Sequence, residues 1–438
     1  MILALAFLLT AISLILLAIA PSAGVLAAFL SKPVIDLAWK SEYAVLGFRP
    51  VEIIGAVLPA ILLLRILLFK ADRPRPLPLI GVWSFYLLAN VLAALMMLAS
   101  GEGTGALSFF FRILNGFVGF YMLQAYFATR ERFHVLLVVI MLACLVPMLM
   151  GLYESVTGEL LRERQGVGDQ VRITGLYHNS ISYRIFGFMA LTAIGLYWVY
   201  FAPRAKLKKL LLIFYVGVCL LVLFQVYSKA AFASFAVAII LVTIGSRRLI
   251  PGLVIVGSLI ILNALTGDVV LQEIETTFSK ETNALAGEIA TDRALGGRIG
   301  MWKNQLSEWE QQSIENKLLG GDSGGRLAKG GGHSDYIRAL KQTGVVGLFA
   351  YVLLLISVGY RVAVLFVRRR DGLSVVAAVL FWVWIIDSIG FTPALFTHYQ
   401  WFVWGLIGLA LQGVKGLEYR PSQLGALRPA PCRSRPTN

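Results

Sequence analysis

Long apolar stretches separated by short polar or basic segments make up most of the chain. A run of roughly 17–25 apolar residues is long enough to cross a bilayer as a helix. The pattern predicts twelve such spans, near residues 2–20, 48–69, 79–99, 107–127, 133–153, 180–201, 209–227, 229–245, 249–266, 343–366, 373–391 and 398–414. Residues 21–47 are apolar enough to dip into an interface, but Pro21, Pro33, Asp36 and Lys40 argue against a clean span. The pattern changes between 267 and 342, where amphipathic stretches alternate with glycine-rich turns. Within 298–310, Ile299, Trp302, Leu306 and Trp309 recur at helical spacing and predict a short interfacial helix with one apolar face. The chain thus divides into membrane helices over 1–266, a large loop over 267–342, further membrane helices over 343–414, and a Pro/Arg-rich tail, 415–438, of disordered composition.

Composition sharpens the class. The chain is 58% hydrophobic and 14% charged, with mean hydropathy +0.77, which excludes a soluble domain. The expected fold is an all-α polytopic membrane protein. The net charge of +15 would ordinarily raise the question of nucleic acid. Here the basic residues sit in short alternate loops: Lys70/Arg73/Arg75, Arg130/Arg132, Arg204 to Lys209, Arg247/Arg248 and Arg368 to Arg370. By the positive-inside rule these loops and both termini are cytoplasmic, the large loop is periplasmic, and no nucleic-acid partner is needed. The large loop holds nine basic and eleven acidic residues, so it is not a basic binding arm. The first apolar run has no Lys or Arg before it and reads as an uncleaved helix.

Polar chemistry gathers where the large loop re-enters the membrane, at Gly332-His333-Ser334-Asp335-Tyr336-Ile337-Arg338. A helix starting near Ser334, capped by Ser334 or Asp335, would present its positive end to His333. That end disfavours the imidazolium, leaving a neutral base able to take a proton from an attacking hydroxyl. Asp335 and Arg338, three apart, would pair on a helix surface. On the same expected face lie Arg172, Lys229, Arg298 and Arg112, cations with no topogenic reason to be there. They suit a phosphate or pyrophosphate, although long basic side chains near helix ends also snorkel. Asp387 is an intramembrane carboxylate, either functional or neutralising one of these cations. Gly321-Asp322-Ser323-Gly324-Gly325 matches a serine-protease string but has no partner histidine motif or β-barrel pattern, and no P-loop is present.

In order along the chain, Arg172-x-x-Gly175 with His178-Asn179, Ser228-Lys229-Ala230, Gly297-Arg298-x-x-x-Trp302, and His333-x-x-Tyr336-x-x-x-Leu340 with Gly344-x-x-Gly347-Leu348 form a set. It resembles the motifs of the O-antigen ligase and polysaccharide polymerase superfamily of bacterial inner-membrane glycan transferases. The resemblance covers roughly residues 50–410. It implies a GT-C-like bundle in the inner membrane with a periplasmic loop domain and no cofactor or metal. The implied donor is an undecaprenyl-diphosphate-linked glycan, and the acceptor is a second glycan or lipid A–core. Membrane lipid and polysaccharide-export and chain-length-control proteins are the implied further partners. His333 would be catalytic, and Arg172, Lys229 and Arg298 would bind the donor pyrophosphate. Asp335, Arg338, Tyr336, Trp302, His178, Arg112 and Asp387 would support them. The chain departs from the family at Lys229, where arginine is usual; lysine keeps the charge but loses the bidentate fork. The residues around Asp335-Tyr336-Ile337-Arg338, and Lys32-Pro33 with Asp36 and Trp39, resemble polymerases more than ligases. A ligase joining polymer to lipid A–core or to protein, and a transporter, remain as alternatives.

Overall fold

The structure, a computed structural model, describes residues 2–39, 49–72, 74, 77–162, 172–177, 180–246, 257, 269–321 and 334–417. Among the described residues it is helical, with no β-strand. The first nine helices are α1 (Ile2–Ile19), α2 (Pro21–Leu37), α3 (Pro50–Leu68), α4 (Ile80–Ala99), α5 (Gly103–Tyr126), α6 (Arg130–Thr157), α7 (Ser180–Phe201), α8 (Lys206–Gln225) and α9 (Lys229–Ser246). Among the described residues three helices follow in the large loop: α10 (Val269–Leu285), α11 (Ala294–Glu310) and α12 (Ile314–Leu319). The chain then returns through α13 (Asp335–Arg369), α14 (Gly372–Gly390) and α15 (Thr397–Gln412). Ten helices among the described residues are long and apolar enough to cross a membrane, so the protein is a multi-pass membrane protein. The predicted span at 249–266 lies outside the described residues, Gly257 excepted.

The bundle has two distinct ends. One carries the large loop (the loop end); the other carries Lys70, Arg130, Arg204, Lys208 and Arg370 (the basic end). Residues 21–37 belong to the stretch whose polar residues argue against a clean span. They form a helix that folds back on α1: the Ser13 and Ser31 hydroxyls meet at 3.2 Å, and Leu17 packs on Gly24. At the basic end Arg65 of α3 donates to the Ala18 carbonyl at 3.0 Å and pairs with Asp72. At the loop end Asp36 comes within 3.5 Å of His398 in the first turn of α15. Thus α2, though only 17 residues long, runs from one end to the other. Of the described residues, Ile2 lies toward the loop end and Leu417 at the basic end, where Lys415 exchanges backbone hydrogen bonds with Ala128 and Arg130.

The centre of the bundle is α15, in which every residue from His398 to Ala410 is buried. A helix apolar all round belongs inside. It approaches α5 closely: a Cβ on Gly119 would stand 3.0 Å from the Trp401 backbone, and one on Gly405 3.1 Å from the Gly119 carbonyl. Small residues at such crossings let backbones meet inside a membrane. Asn115 of α5 accepts from Trp401 Nε1 at 2.7 Å and donates to the Gly55 carbonyl at 2.7 Å, tying α15, α5 and α3 together.

The start of α13 near Ser334 is as expected. Ser334 occupies the cap position, but its hydroxyl does not cap; it lies 3.3 Å from the Ser388 carbonyl instead. The helix is broken at Gly344 (φ 63°, ψ −169°). There the backbone lies against the Leu318–Gly320 end of α12, where any Cβ would collide with main chain. Glycine is required on both counts. The amphipathic helix at 298–310 forms within α11, but its inward stripe is rotated. Gln305 is buried and Leu306 is exposed, so the helix turns Arg298, Trp302, Gln305 and Trp309 toward the protein.

Candidate functional site

The site grows from the loop-end turns of α6, α7, α13 and α14. Glu154, near the end of α6, is buried, and its carboxylate accepts the backbone N–H groups of Thr174 (3.0 Å), Gly175 (2.8 Å) and Leu161 (2.8 Å). This pins the 172–177 turn that carries Arg172. Gly175 has φ +56°, and a Cβ there would collide with the Tyr183 hydroxyl, which explains the glycine three residues after the arginine. Tyr177, also buried, donates to the Pro33 carbonyl at 3.2 Å, so the turn rests on α2.

One turn into α7 lies Arg184, which the sequence reading passed over. Its guanidinium is 2.9 Å from Asp387 of α14, with side chains 4% and 2% exposed. It stacks over the Phe391 ring at 5.1 Å and reaches Ser228 Oγ at 3.4 Å. Asp387 also accepts from the Tyr399 hydroxyl at 2.8 Å. Asp387 therefore does neutralise a cation, but the cation is Arg184 and none of those singled out from the sequence. The available signal was an arginine inside an apolar span, which is a candidate by default.

Arg298 comes to this pair from the large loop. A Cβ on Gly390 would stand 3.6 Å from its guanidinium, so it lies against the end of α14. Burial, then the neighbouring charges of Arg184 and Arg172, hold the Arg298 guanidinium below its ordinary value, with Glu281 opposing them. Arg184 and Arg172 are therefore both close enough to Arg298 to repel it. Lys229 opens α9 beside them, ion-paired with Glu281 of α10 and 5.8 Å from the Phe278 ring. Glu281 also accepts the Leu295 N–H at 2.7 Å. Leu295 has φ 52°, a strained value for a non-glycine residue just before Arg298.

The second group surrounds the start of α13. Asp335 is 2% exposed and pairs with Arg338 at 2.7 Å, so this is a buried pair and not the surface pair its spacing predicts. Ser388 donates to Asp335 at 3.4 Å, and Trp384 Nε1 donates to the Tyr351 hydroxyl at 3.1 Å, which lies 3.3 Å from Ser388 Oγ. Consecutive residues of α14 thus serve the two groups, Asp387 one and Ser388 the other. The Tyr336 ring lies beside that of Tyr351, tilted by 48°, with centroids 5.9 Å apart. Arg112 lies within electrostatic reach of Arg338 and Glu52. A cavity of about 30 Å³, lined in part by Asp335, Arg338, Tyr86 and Gln400, lies beneath this group and has room for a water or two. Lys341, also missed from the sequence, is buried and pairs with Glu308 of α11 at 2.6 Å.

The structure brings Arg172, Lys229, Arg298, Arg338, Asp335, Tyr336 and Asp387 to one end of the bundle. Trp302 is half-buried on the inward face of α11, with its Nε1 lacking a hydrogen-bond partner among the described residues. His333 and His178 lie outside the described residues. No group of three His, Cys, Asp or Glu residues capable of holding a metal ion occurs among the described residues. Compared with known proteins, the chain matches no family model and no curated relative.

Proposed function

We propose that the protein is a GT-C-like glycan transferase of the bacterial inner membrane that polymerises repeat units from an undecaprenyl-diphosphate-linked donor. The observation that carries this reading is the convergence of Arg172, Arg184 and Arg298 at the loop end, beside the start of α13. Cations gathered around Arg298, with Arg184 fixed by the buried Asp387, are preorganised for an oligoanion such as a pyrophosphate. In the proposed reaction His333 takes the proton of an acceptor hydroxyl, and that oxygen attacks the anomeric carbon. The bond from that carbon to the phosphate oxygen breaks, and undecaprenyl diphosphate departs with its charge stabilised by Arg172, Arg298 and Lys229. Lys229 would have to exchange Glu281 for the donor to take part. The basic end is then cytoplasmic and the loop end periplasmic.

A transporter also uses broken helices, but it breaks them near the bilayer midplane. From Gly344 to Arg369 α13 runs unbroken for about 37 Å at 1.5 Å per residue, more than the roughly 30 Å of a hydrocarbon core. The break therefore belongs to the loop end, which favours an enzyme.

The test is the surface-polysaccharide size profile of a strain lacking the protein, complemented with wild type or His333→Ala. Polymerase activity predicts loss of long chains, with single repeat units remaining, restored by wild type alone. Intact polymer stranded on its lipid carrier would assign the protein as a ligase. Full restoration by His333→Ala would remove the catalytic role of that residue.

A further inference from the structure

A second site lies at the other end of the bundle. Between α6, α7, α8, α9 and α14 opens a cavity of about 1150 Å³. Arg130, Arg204, Lys208 and Arg370 line it, and among the described residues no Asp or Glu does. Among the described residues none of these four cations pairs with a carboxylate. The neighbouring Arg369 takes Asp371 at 2.6 Å, while Arg370 Nε is buried without a hydrogen-bond partner among the described residues.

Two further observations identify what fits there. The start of α8 faces this cavity with Ala205 at the cap position, so no side chain caps it. Its first turn is basic as well, which sets positive side chains on the positive end of the helix. An anion offsets both. The cavity wall is also partly apolar and open to the outside of the bundle: Trp198, Val199 and Val242 are 38%, 47% and 38% exposed. A free anion has no use for that flank, but acyl chains do.

We propose that this cavity binds the headgroup of an anionic phospholipid, its phosphate held by Arg204, Lys208 and Arg370 and its acyl chains running over Val199 and Val242. Basic pockets between helix ends recognise anionic headgroups by this chemistry. The site is independent of the reaction proposed for the loop end. It would anchor α8 against α14 at the level where both helices leave the membrane.

The test uses the purified full chain in detergent, with phosphatidylglycerol and phosphatidylcholine as probes and retained lipid counted by native mass spectrometry. The wild type is expected to retain one phosphatidylglycerol in preference to phosphatidylcholine. The triple variant Arg204→Gln/Lys208→Gln/Arg370→Gln should bind it about a hundredfold more weakly. The double variant Lys206→Gln/Lys209→Gln, on the same helix end but outside the cavity, should keep the binding. Equal losses in both variants would mean diffuse surface attraction and overturn the proposal. Displacement of the lipid by inorganic phosphate would overturn it in favour of a free-phosphate site. Should the triple variant not fold, brominated phosphatidylglycerol is expected to quench wild-type tryptophan fluorescence. That quenching should fall in Trp198→Phe; an unchanged signal would place the lipid elsewhere.

Discussion

At the loop end Arg184 and Asp387 stand 2.9 Å apart and almost wholly buried; at the basic end Arg204 and Lys208 are exposed and pair with no carboxylate among the described residues. The two arrangements answer to different physics. A charge taken out of water costs several kcal/mol and persists only where a partner and hydrogen bonds compensate it. The loop end therefore positions its charges rigidly, through the Arg184–Asp387–Tyr399 and Arg338–Asp335–Ser388 chains. Arg204 and Lys208 need no such support, because exposed cations at helix ends answer to membrane orientation and lipid. The number of positive residues would not tell the two ends apart, whereas their burial does.

Arg184→Met should break this contrast most strongly. It leaves Asp387 buried beside Tyr399 alone, and loss of about 3–5 kcal/mol is expected, read as thermal unfolding in detergent. Adding Asp387→Asn should recover part of that loss; no recovery would mean that Arg184 acts through packing on Phe391. Arg298→Gln is expected to cut glycan transfer about a hundredfold, equivalent to about 2.7 kcal/mol, with unfolding little changed. Comparable losses in both readouts would make it a structural residue. Gly344→Ala should destabilise by about 1–3 kcal/mol, because the residue sits at φ 63° against the Leu318–Gly320 backbone. A neutral result would show that α12 is not held there. The smallest effect belongs to Lys303→Ala, whose pair with Asp292 has both side chains more than half exposed. A shift within about 0.5 kcal/mol is expected. A larger one would mean that solvent-facing charge at the loop end matters as buried charge does.

Much of this arrangement was legible in the chain. Among the described residues, spans of continuous apolar residues fell where helices form, because nothing but a helix satisfies the backbone in lipid. The helix start at Ser334 was legible from its polar lead-in. What escaped notice had physical reasons. Lys32 and Asp36 lower the apparent hydropathy of α2, yet they pair four apart on one helix, and Pro33 sits within that helix without ending it. Glu154 and Arg184 looked like isolated polar residues within apolar runs. The Thr174 and Gly175 backbone that Glu154 holds, and the Asp387 that Arg184 meets, are 20 or more residues away in sequence. The inward face of α11 was misjudged because burial there follows Gln305, not Leu306. Periodicity of apolar residues cannot reveal a helix whose protein-facing side carries arginine and glutamine.

The most direct test of the central claim is release of undecaprenyl diphosphate from a lipid-linked glycan by the purified full chain in proteoliposomes, comparing wild type with Arg172→Gln/Arg298→Gln. If these arginines hold the pyrophosphate, the wild type releases the carrier when acceptor is present, and the double variant, folded as judged by its unfolding transition, releases it at least about a hundredfold more slowly. Equal rates from the two folded proteins would contradict the claim.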